Sequence, residues 1–345
     1  MIFVFDIDQL STPISQDFPT GHDLRHGGGT GLYFRLKDLR SAARAEDRNL
    51  EPGQRLSPDW AEIGRLALAA LEKETRDIEI LAWLAEAELR LHGFKGLGRA
   101  FALIARLVEQ DFDGLYSIEG DVTDKVAPIS GLNGVNGEGA LIKPLRLVPL
   151  VPGHAFLNLS LWDFQLAQRP TETERRTALS EAVNAAGRDR MRAHLADIKE
   201  CIAAFAAMTA AFDARCGSAA PSSTMIRSVL EEARLAIMNI GGLENEEAAA
   251  AAAAEGEGEE GNETPAERGS ASGPIRSRQQ ALERLSEIAE YFRRQEPHSP
   301  LSAALDTAVA RGRMGFTELL AELVSDEDAR RRILITAGIR PEKNG

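Results

Sequence analysis

The chain has 345 residues, which is enough for two or three domains, and its hydrophobic content of 43% can support real cores. Its formal net charge of −13 argues against general binding to nucleic acid or insertion into anionic membranes, and we expect neither. The two cysteines, Cys201 and Cys216, match no zinc-site spacing and no disulfide scaffold, so a reduced cytosolic compartment is expected.

The first residues carry two acidic side chains after an apolar run. This start has no basic region, and no uncharged apolar stretch of about 18 residues follows, so we expect neither a signal peptide nor a transmembrane helix. Phosphatases of the haloacid-dehalogenase type have a strand ending in DxDx(T/V), whose first Asp attacks phosphorus. Asp6 and Asp8 fit this pattern, but Leu10 stands at its last position and no alternating strands and helices follow. We favour solvated or capping roles for both, and keep a phosphatase or phosphotransferase as an alternative.

Residues 13–25, here called the N-terminal loop, are polar and rich in turn formers. Pro19 fixes its own φ, and Gly21 can take backbone angles that other residues avoid. We therefore interpret the segment as a shaped loop laid onto another part of the fold. His22 and His26 are four residues apart but have no glutamate between them and no helix to align them, so we expect surface residues and no metal site.

A glycine-rich stretch, residues 27–31, lacks the lysine of a P-loop and predicts a flexible turn before a short helix. Ser57-Pro58-Asp59-Trp60 is typical of a helix start. A second helix is predicted from about Asp77 to His92, with Gly93 ending it, and a third carries Leu97, Phe101, Ile104 and Val108 on one face. Short connections between these helices favour antiparallel packing.

Residues 113–155 are predicted to be non-helical because of their many turn residues. Within them, residues 141–150 are expected to be extended, since Pro144 and Pro149 disfavour helix. A second helical region is predicted over residues 171–240, including an alanine-rich helix at 190–215.

Residues 244–273 contain seven consecutive alanines, nine glutamates and one arginine. Low hydrophobicity and high charge predict a disordered acidic linker, because burial cannot offset the ordering entropy. Beyond it, helices are predicted at 275–294, 301–311 and 316–324, with a break at 312–315 and a last helix opened by Ser325. This small module is expected to need partner copies to bury its apolar faces. Its candidate oligomerisation residues are Leu285, Ile288, Phe292, His298, Pro300, Arg311, Met314, Leu319 and Leu320.

No motif in the sequence forms a catalytic constellation. There is no GxSxG elbow and no Cys-His signature. Glu86 and Glu88 lie on different faces of their helix, which suits solvation better than acid/base work. We expect a protein that is not an enzyme, with no catalytic residue, cofactor or metal.

Several stretches together resemble the ImpA/TssA family of type VI secretion proteins. They are Pro13-Ile14-Ser15 with Pro19, Gly21 and Asp23-Leu24-Arg25; residues 37–44; Asp59-Trp60; residues 75–80, 83–84, 91–94 and 96–97; residues 112–116; and Pro128 with residues 131–134 and 141–146. The match covers about residues 8–150, and parts of residues 296–320 resemble the C-terminal domain of short family members.

The helical patterns, the linker composition and the resemblance together predict an all-α fold with four parts: an ImpA-like N-terminal domain with irregular loops (1–155), a helical middle region (156–243), the disordered linker (244–274) and a small helical oligomerisation domain (275–345). By resemblance, the last of these oligomerises. The resemblance also implies a cytoplasmic homo-oligomeric ring that scaffolds baseplate, inner tube, spike and contractile sheath and is recruited to the apparatus at the inner membrane. Candidate structural or partner contacts are Pro19, Gly21, Asp23, Leu24, Arg25 and Trp60. Asp23 and Arg25 are expected to act as a structural clamp rather than as partner contacts. A generic helical adaptor is a further alternative.

Overall fold

The computed structural model describes residues 5–27, 30–48, 50, 56–135, 137–244, 246, 278–295, 300–324, 326 and 330. Within this part of the chain the regular structure is helical, with three isolated β-bridges and no strand. The predicted all-α fold class is therefore confirmed. The chain divides into a first unit, residues 1–260, and a second unit, residues 261–345, and each is described by itself.

The described residues of the first unit form ten α-helices and one 3₁₀ turn, Gly217–Ala219. The α-helices are α1 Ile7–Ser11, α2 Thr30–Asp47, α3 Asp59–Lys73, α4 Ile78–Asp111, α5 Val122–Asn133, α6 Ile142–Arg146, α7 Leu161–Ala167, α8 Thr173–Ala186, α9 Arg188–Cys216 and α10 Thr224–Gly241. The predicted helix starts near residues 57–60 and 77 and the helical region 171–240 are confirmed. No helix in the described ranges has both the length and the apolar composition to cross a bilayer.

Helix α4 is interrupted where the sequence predicted a helix end. Gly93 has φ 61° and ψ −145°, which is not helical, so α4 consists of two segments. The two segments approach each other closely at this interruption: a β-carbon on Gly96 would lie only 2.6 Å from the Glu88 carbonyl oxygen. The two segments thus meet at a glycine, as close backbone approach requires.

The core of the first unit is built around α4, which packs against α3 and α9. Trp60, Phe101 and Phe212 are fully buried there. Gly98 permits a close approach of α4 and α9, since a β-carbon at this position would lie 2.9 Å from the Cα of Cys201 on α9. Helix α4 therefore buries nearly all of its faces, unlike an amphipathic surface helix.

The two cysteines give a simple test of this packing. Cys201 is fully buried and burial raises the pKa of its thiol, whereas Cys216 is half-buried at the end of α9. Because the thiolate is the reactive form, we expect Cys201 to react with a thiol reagent at least ten times more slowly than Cys216 in the folded chain. Both should react at similar rates in urea. Equal rates in the folded chain would contradict the α4–α9 packing.

The prediction that residues 113–155 lack helix is wrong. Helix α5 begins with a capping box: the Asp121 carboxylate accepts from the Thr123 and Asp124 backbone N–H groups, and the Asp124 carboxylate accepts from the Asp121 N–H. The spacing Asp121-x-x-Asp124 is a helix-start signal, and the turn residues that follow it masked this signal.

The prediction that residues 141–150 are extended is also wrong for its first half. Helix α6 includes Pro144 as its third residue, where a backbone N–H would have no partner within the helix. A proline in the first helical turn therefore costs little. Pro149, in contrast, forms an isolated bridge with Ser160 and lies outside any helix.

The second unit contains α11 Arg278–Gln295, α12 Leu301–Arg313 and α13 Phe316–Leu323 in its described residues. These agree with the predicted helices, except that Gly312 lies within α12 and the break is confined to Met314 and Gly315. The bulk of the predicted linker, His298 and the helix after Ser325 lie outside the described residues. The four domain boundaries given above stay predictions.

Candidate interaction site around the N-terminal loop

The N-terminal loop lies across the connection between α3 and α4. The backbone N–H of His22 donates to the Glu74 carbonyl at 2.9 Å, and the N–H of Arg76 donates to the Thr20 carbonyl at 2.8 Å. The Tyr116 hydroxyl donates to the Gly21 carbonyl at 3.0 Å. The loop is therefore held by main-chain hydrogen bonds on both sides of its glycine.

Gly21 is required at this crossing for two reasons. Its φ is +74°, which favours glycine, and a β-carbon would lie 2.1 Å from the Glu74 carbonyl oxygen. The loop is also closed on itself, because Ile14 N–H donates to the Pro19 carbonyl at 2.9 Å and Gly21 N–H donates to the Phe18 carbonyl at 3.0 Å. Its backbone shape is thus fixed both internally and by its contact with the helices.

Arg25 joins the end of the loop to the start of α4. Its guanidinium donates to both oxygens of Asp77, at 2.5 and 3.2 Å, to Glu79 at 2.9 Å and to Asp23 at 3.0 Å. We call Arg25, Asp23, Asp77 and Glu79 the Arg25 clamp. The Arg25 side chain is only 13% exposed, so three carboxylates around its guanidinium make a charge-assisted network with little solvent screening.

Asp77 has two roles in the Arg25 clamp. It is the N-cap of α4 and accepts from the Glu79 and Ile80 N–H groups at 2.8 and 3.2 Å. Its carboxylate is completely buried. Burial opposes the charge on Arg25, but the hydrogen bonds and charges of Asp77 and Glu79 outweigh it and raise the pKa of Arg25. Tyr33 donates to Glu79 at 2.8 Å, and burial together with this bond raises the pKa of Tyr33 to about 12.

A second charged network lies deeper, among α2, α3 and α4. Arg40 donates twice to one oxygen of Glu86, at 2.8 and 2.6 Å. Arg90 donates to Asp47 at 2.6 Å and its guanidinium lies 3.9 Å from the centre of the Trp60 ring. Trp60 in turn donates to Asp47 at 3.2 Å. The three helices are therefore held together by charge as well as by apolar packing.

The prediction that Glu86 and Glu88 are solvated is wrong. Both are buried, and Glu88 pairs with His92 at 2.9 Å. Helical periodicity assigns the two residues to different faces, but it cannot show that neighbouring helices cover both. The arginine partners of Glu86 on α2 are more than 40 residues away in sequence, so no local signal indicates them.

The six residues proposed as structural or partner contacts fall into two groups. Asp23 and Arg25 are brought together in the Arg25 clamp, while Leu24 and Trp60 are buried at 3% and 0% exposure, and Gly21 is enclosed. Pro19 is exposed, beside Phe18 at 53% and the exposed His22. Of the six candidates, Pro19 is therefore the exposed one, and a partner can reach it together with Phe18 and His22.

Tyr33, Asp77 and Glu79 belong to this site but are absent from the sequence-based selection. Asp77 had a usable signal, because an Asp directly before a helix is a common N-cap. Tyr33 and Glu79 had none, since each is defined only by contacts with residues distant in sequence.

His26, Asp23 and Glu119 come close enough together to hold a metal ion. The His26 Nε2 lies 3.0 Å from Glu119 and 4.0 Å from Asp23. His26 and Glu119 are 66% and 79% exposed, and the other oxygen of Asp23 is occupied by Arg25. A hydrogen bond between the ring and the Glu119 carboxylate accounts for the arrangement.

Asp6 and Asp8, the basis of the phosphatase alternative, have structural partners. Asp6 is the N-cap of α1 and accepts from the Asp8 and Gln9 N–H groups at 2.9 and 3.4 Å. Asp8 is 84% exposed and pairs with Arg106 at 3.0 Å. This geometry agrees with the capping and solvated roles and does not favour the phosphatase alternative.

The oligomerisation candidates of the second unit differ in exposure. Leu285, Phe292, Met314, Leu319 and Leu320 are half-buried, whereas Ile288, Pro300 and Arg311 are exposed. Arg311 donates to Glu322 at 2.9 Å, which joins α12 to α13.

Three comparisons with known proteins agree with this description. The family model for the N-terminal domain of ImpA, type VI secretion system, matches residues 11–134, which contain the N-terminal loop and α2 to α5. A Pseudomonas aeruginosa protein described as type VI secretion system component TssA1 is 26% identical over 340 residues, which are 94% of this chain and 96% of the relative.

A solved structure from Burkholderia cenocepacia matches with a TM-score of 0.52 and 24% identity, covering 68% of this chain and 93% of that one. It is described as the N-terminal domain, including the conserved ImpA_N region, of the TssA component of the type VI secretion system. At this identity the likeness supports the fold alone. The family model and the nearly end-to-end relative point to the same group: residues 11–134 match the N-terminal domain of ImpA, and most of the chain is similar to a TssA component of the type VI secretion system.

Proposed function

We propose that the chain is a non-enzymatic, cytoplasmic scaffold of the type VI secretion system and acts as a homo-oligomeric ring. It would help to join baseplate, inner tube, spike and contractile sheath, and would be recruited to the apparatus at the inner membrane. The observation that carries this proposal is the match to a TssA1 component over 94% of this chain and 96% of the relative. A match of this extent also supports the short form of the family.

The first unit supplies a surface suited to recognition. The backbone of the N-terminal loop is fixed by its hydrogen bonds and by the Arg25 clamp, while Phe18, Pro19 and His22 remain exposed. The Phe18 ring lies against the His22 ring in a tilted arrangement, with centroids 4.6 Å apart. An ordered loop that presents an aromatic side chain binds with less loss of entropy than a flexible one.

The second unit supplies a surface suited to self-association. Ala289 and Val309 are the buried apolar residues in its described part, whereas Ile288, Tyr291, Leu301 and Leu323 are 42–59% exposed. A small helical unit that leaves such side chains in water gains stability when copies bury them against each other. Repeated contacts of this kind generate a closed ring when the rotation between copies closes.

Oligomerisation can be tested by light scattering on the purified chain. We expect the full chain to form a defined oligomer, and the double variant Ile288→Glu, Leu323→Glu to fall toward the mass of one chain, because four buried charges per pair of copies would oppose the contact. Deletion of residues 278–345 should have the same effect. Ala303→Glu, at an exposed position of α12, is the control and should keep the wild-type mass. If the deleted chain formed an oligomer with the same number of copies as the full chain, the proposal would be contradicted.

A further inference from the structure

A pocket of about 200 Å³ lies beside the N-terminal loop, between loop residues and the second segment of α4. Its lining includes Thr12, Thr20, Arg76, Leu107, Gln110 and Asp111. Three hydroxyl groups, from Ser11, Thr12 and Thr20, thus line a space of a few non-hydrogen atoms together with one guanidinium and an apolar wall. It adjoins the exposed Pro19 but is distinct from the Arg25 clamp.

Arg76 is 3% exposed and is the unusual group in this pocket. Its Nη2 donates to the Thr12 carbonyl at 2.8 Å, but its buried Nη1 has no hydrogen-bond partner among the described residues. No carboxylate of the described ranges lies within salt-bridge distance of it. Burial lowers the pKa of Arg76, and no ion pair offsets this.

The other buried arginines of the first unit are paired. Arg90, equally buried, has Asp47 at 2.6 Å and Glu86 at 3.9 Å, and the less deeply buried Arg25 has three carboxylates. A buried guanidinium normally has a charged partner, because removing it from water is costly. Arg76 has only a neutral carbonyl, which leaves both a charge and a donor uncompensated.

We propose that this pocket binds the carboxylate of an aspartate or glutamate side chain presented by a protein segment. The planar guanidinium matches a carboxylate with two donors, and a charged acceptor is stronger than the Thr12 carbonyl that it would join or replace. Leu107 and Leu115 suit the methylene groups of such a side chain. Asp111 in the lining disfavours a dianion such as phosphate more strongly than a single carboxylate.

This inference rests on the proposed recognition role of the N-terminal loop and adds the chemistry of the partner. Two sources of the carboxylate share that chemistry: a glutamate of another protein, or a glutamate from the chain's own residues 255–263, which read EGEGEEGNE. The experiment below separates them.

The test uses the full chain and a synthetic peptide of residues 255–263, with a matched peptide in which every glutamate is glutamine. We expect the glutamate peptide to bind at least ten times more tightly by calorimetry, and Arg76→Met to abolish this preference. Because Arg76→Met can also impair folding, two variants at the exposed pocket residue Gln110 provide a second test. Gln110→Glu is isosteric and adds a negative charge, and Gln110→Lys adds a positive charge. Gln110→Glu should weaken binding about tenfold and raise the melting temperature, and Gln110→Lys should do neither.

Equal binding of the two peptides, or binding that is insensitive to Gln110→Glu, would overturn the proposal. A full-length variant with glutamine at the glutamates of residues 255–263 identifies the source. Tighter peptide binding to this variant assigns the site to the chain's own segment, and unchanged binding assigns it to another protein; both support a carboxylate site. None of these outcomes depends on the oligomeric mass, so failure here is distinguishable from failure of the scaffold proposal.

Discussion

Replacing Arg25 with methionine is expected to lower the free energy of unfolding of the first unit by about 3–5 kcal/mol. Methionine keeps most of the aliphatic stem but leaves the completely buried Asp77 carboxylate, and Glu79 beside it, without a cation. Since whole domains are stable by only about 5–15 kcal/mol, this is a large fraction. Urea unfolding followed by tryptophan fluorescence measures it, because all three tryptophans of the chain lie in the first unit.

The loss in Arg25→Met should depend on pH in a defined direction. Burial raises the pKa of Asp77, and Arg25 acts against this shift. Without Arg25, the pKa of Asp77 in the folded chain lies above its unfolded value of about 4, so the fold loses stability as the pH rises above that unfolded value. Below about pH 4 the carboxyl is neutral in both states, and this loss is absent. The difference from wild type should therefore shrink as the pH falls from 7 toward 4.

Arg35→Met is the matched control for Arg25→Met. Arg35 also pairs with a carboxylate, Glu62 at 2.9 Å, but its side chain is 60% exposed. A surface pair contributes about 0–1 kcal/mol, so this variant should differ little from wild type. Equal losses in the two variants would show that the Arg25 clamp contributes no more than a surface pair.

The second large effect is expected for Gly21→Ala, at about 2–4 kcal/mol. Alanine at φ +74° costs about 1 kcal/mol, and its β-carbon cannot fit 2.1 Å from the Glu74 carbonyl oxygen. The loop must lift, which breaks the hydrogen bonds that His22 and Arg76 form across the crossing, each contributing about 1 kcal/mol. The same urea unfolding experiment measures the loss.

Gly27→Ala separates backbone strain from steric contact. Gly27 has the same φ of +74°, but no atom lies within 4 Å of a β-carbon at this position. It should therefore lose only the strain of about 1 kcal/mol. Were Gly21→Ala to cost no more than Gly27→Ala, the close crossing of the loop over Glu74 would be incorrect.

Much of the N-terminal loop could be predicted from the sequence because its signals are local. Gly21 and Pro19 indicate a shaped loop, and Asp23 with Arg25 two residues later indicates a clamp. What the sequence could not show is the other half of each interaction. Asp77 and Glu79 reach Arg25 across more than 50 residues, and such pairings depend on how helices pack.

The contrast between local signals and distant contacts also explains which helices and side chains were predicted wrongly. Helices α3 and α4 were predictable from start signals and from Gly93, which acts through its own backbone. Helix α6 was missed because the position of Pro144 within the first turn decides its effect, and the start of α6 carries no side-chain cap. Glu86 was misplaced because a helix buried on most of its faces has no solvent side to predict.

The central claim is that the chain recognises other components of a type VI secretion system through the N-terminal loop. The most direct measurement is co-purification of tagged full-length chain with the baseplate and sheath proteins of its own system, for wild type and for Phe18→Asp. Phe18 is 53% exposed, so the variant should fold normally, as its melting temperature will show. The account predicts capture of these proteins by wild type and a loss of at least fivefold in the variant. Absence of capture by wild type, or equal capture by a folded Phe18→Asp variant, would contradict it.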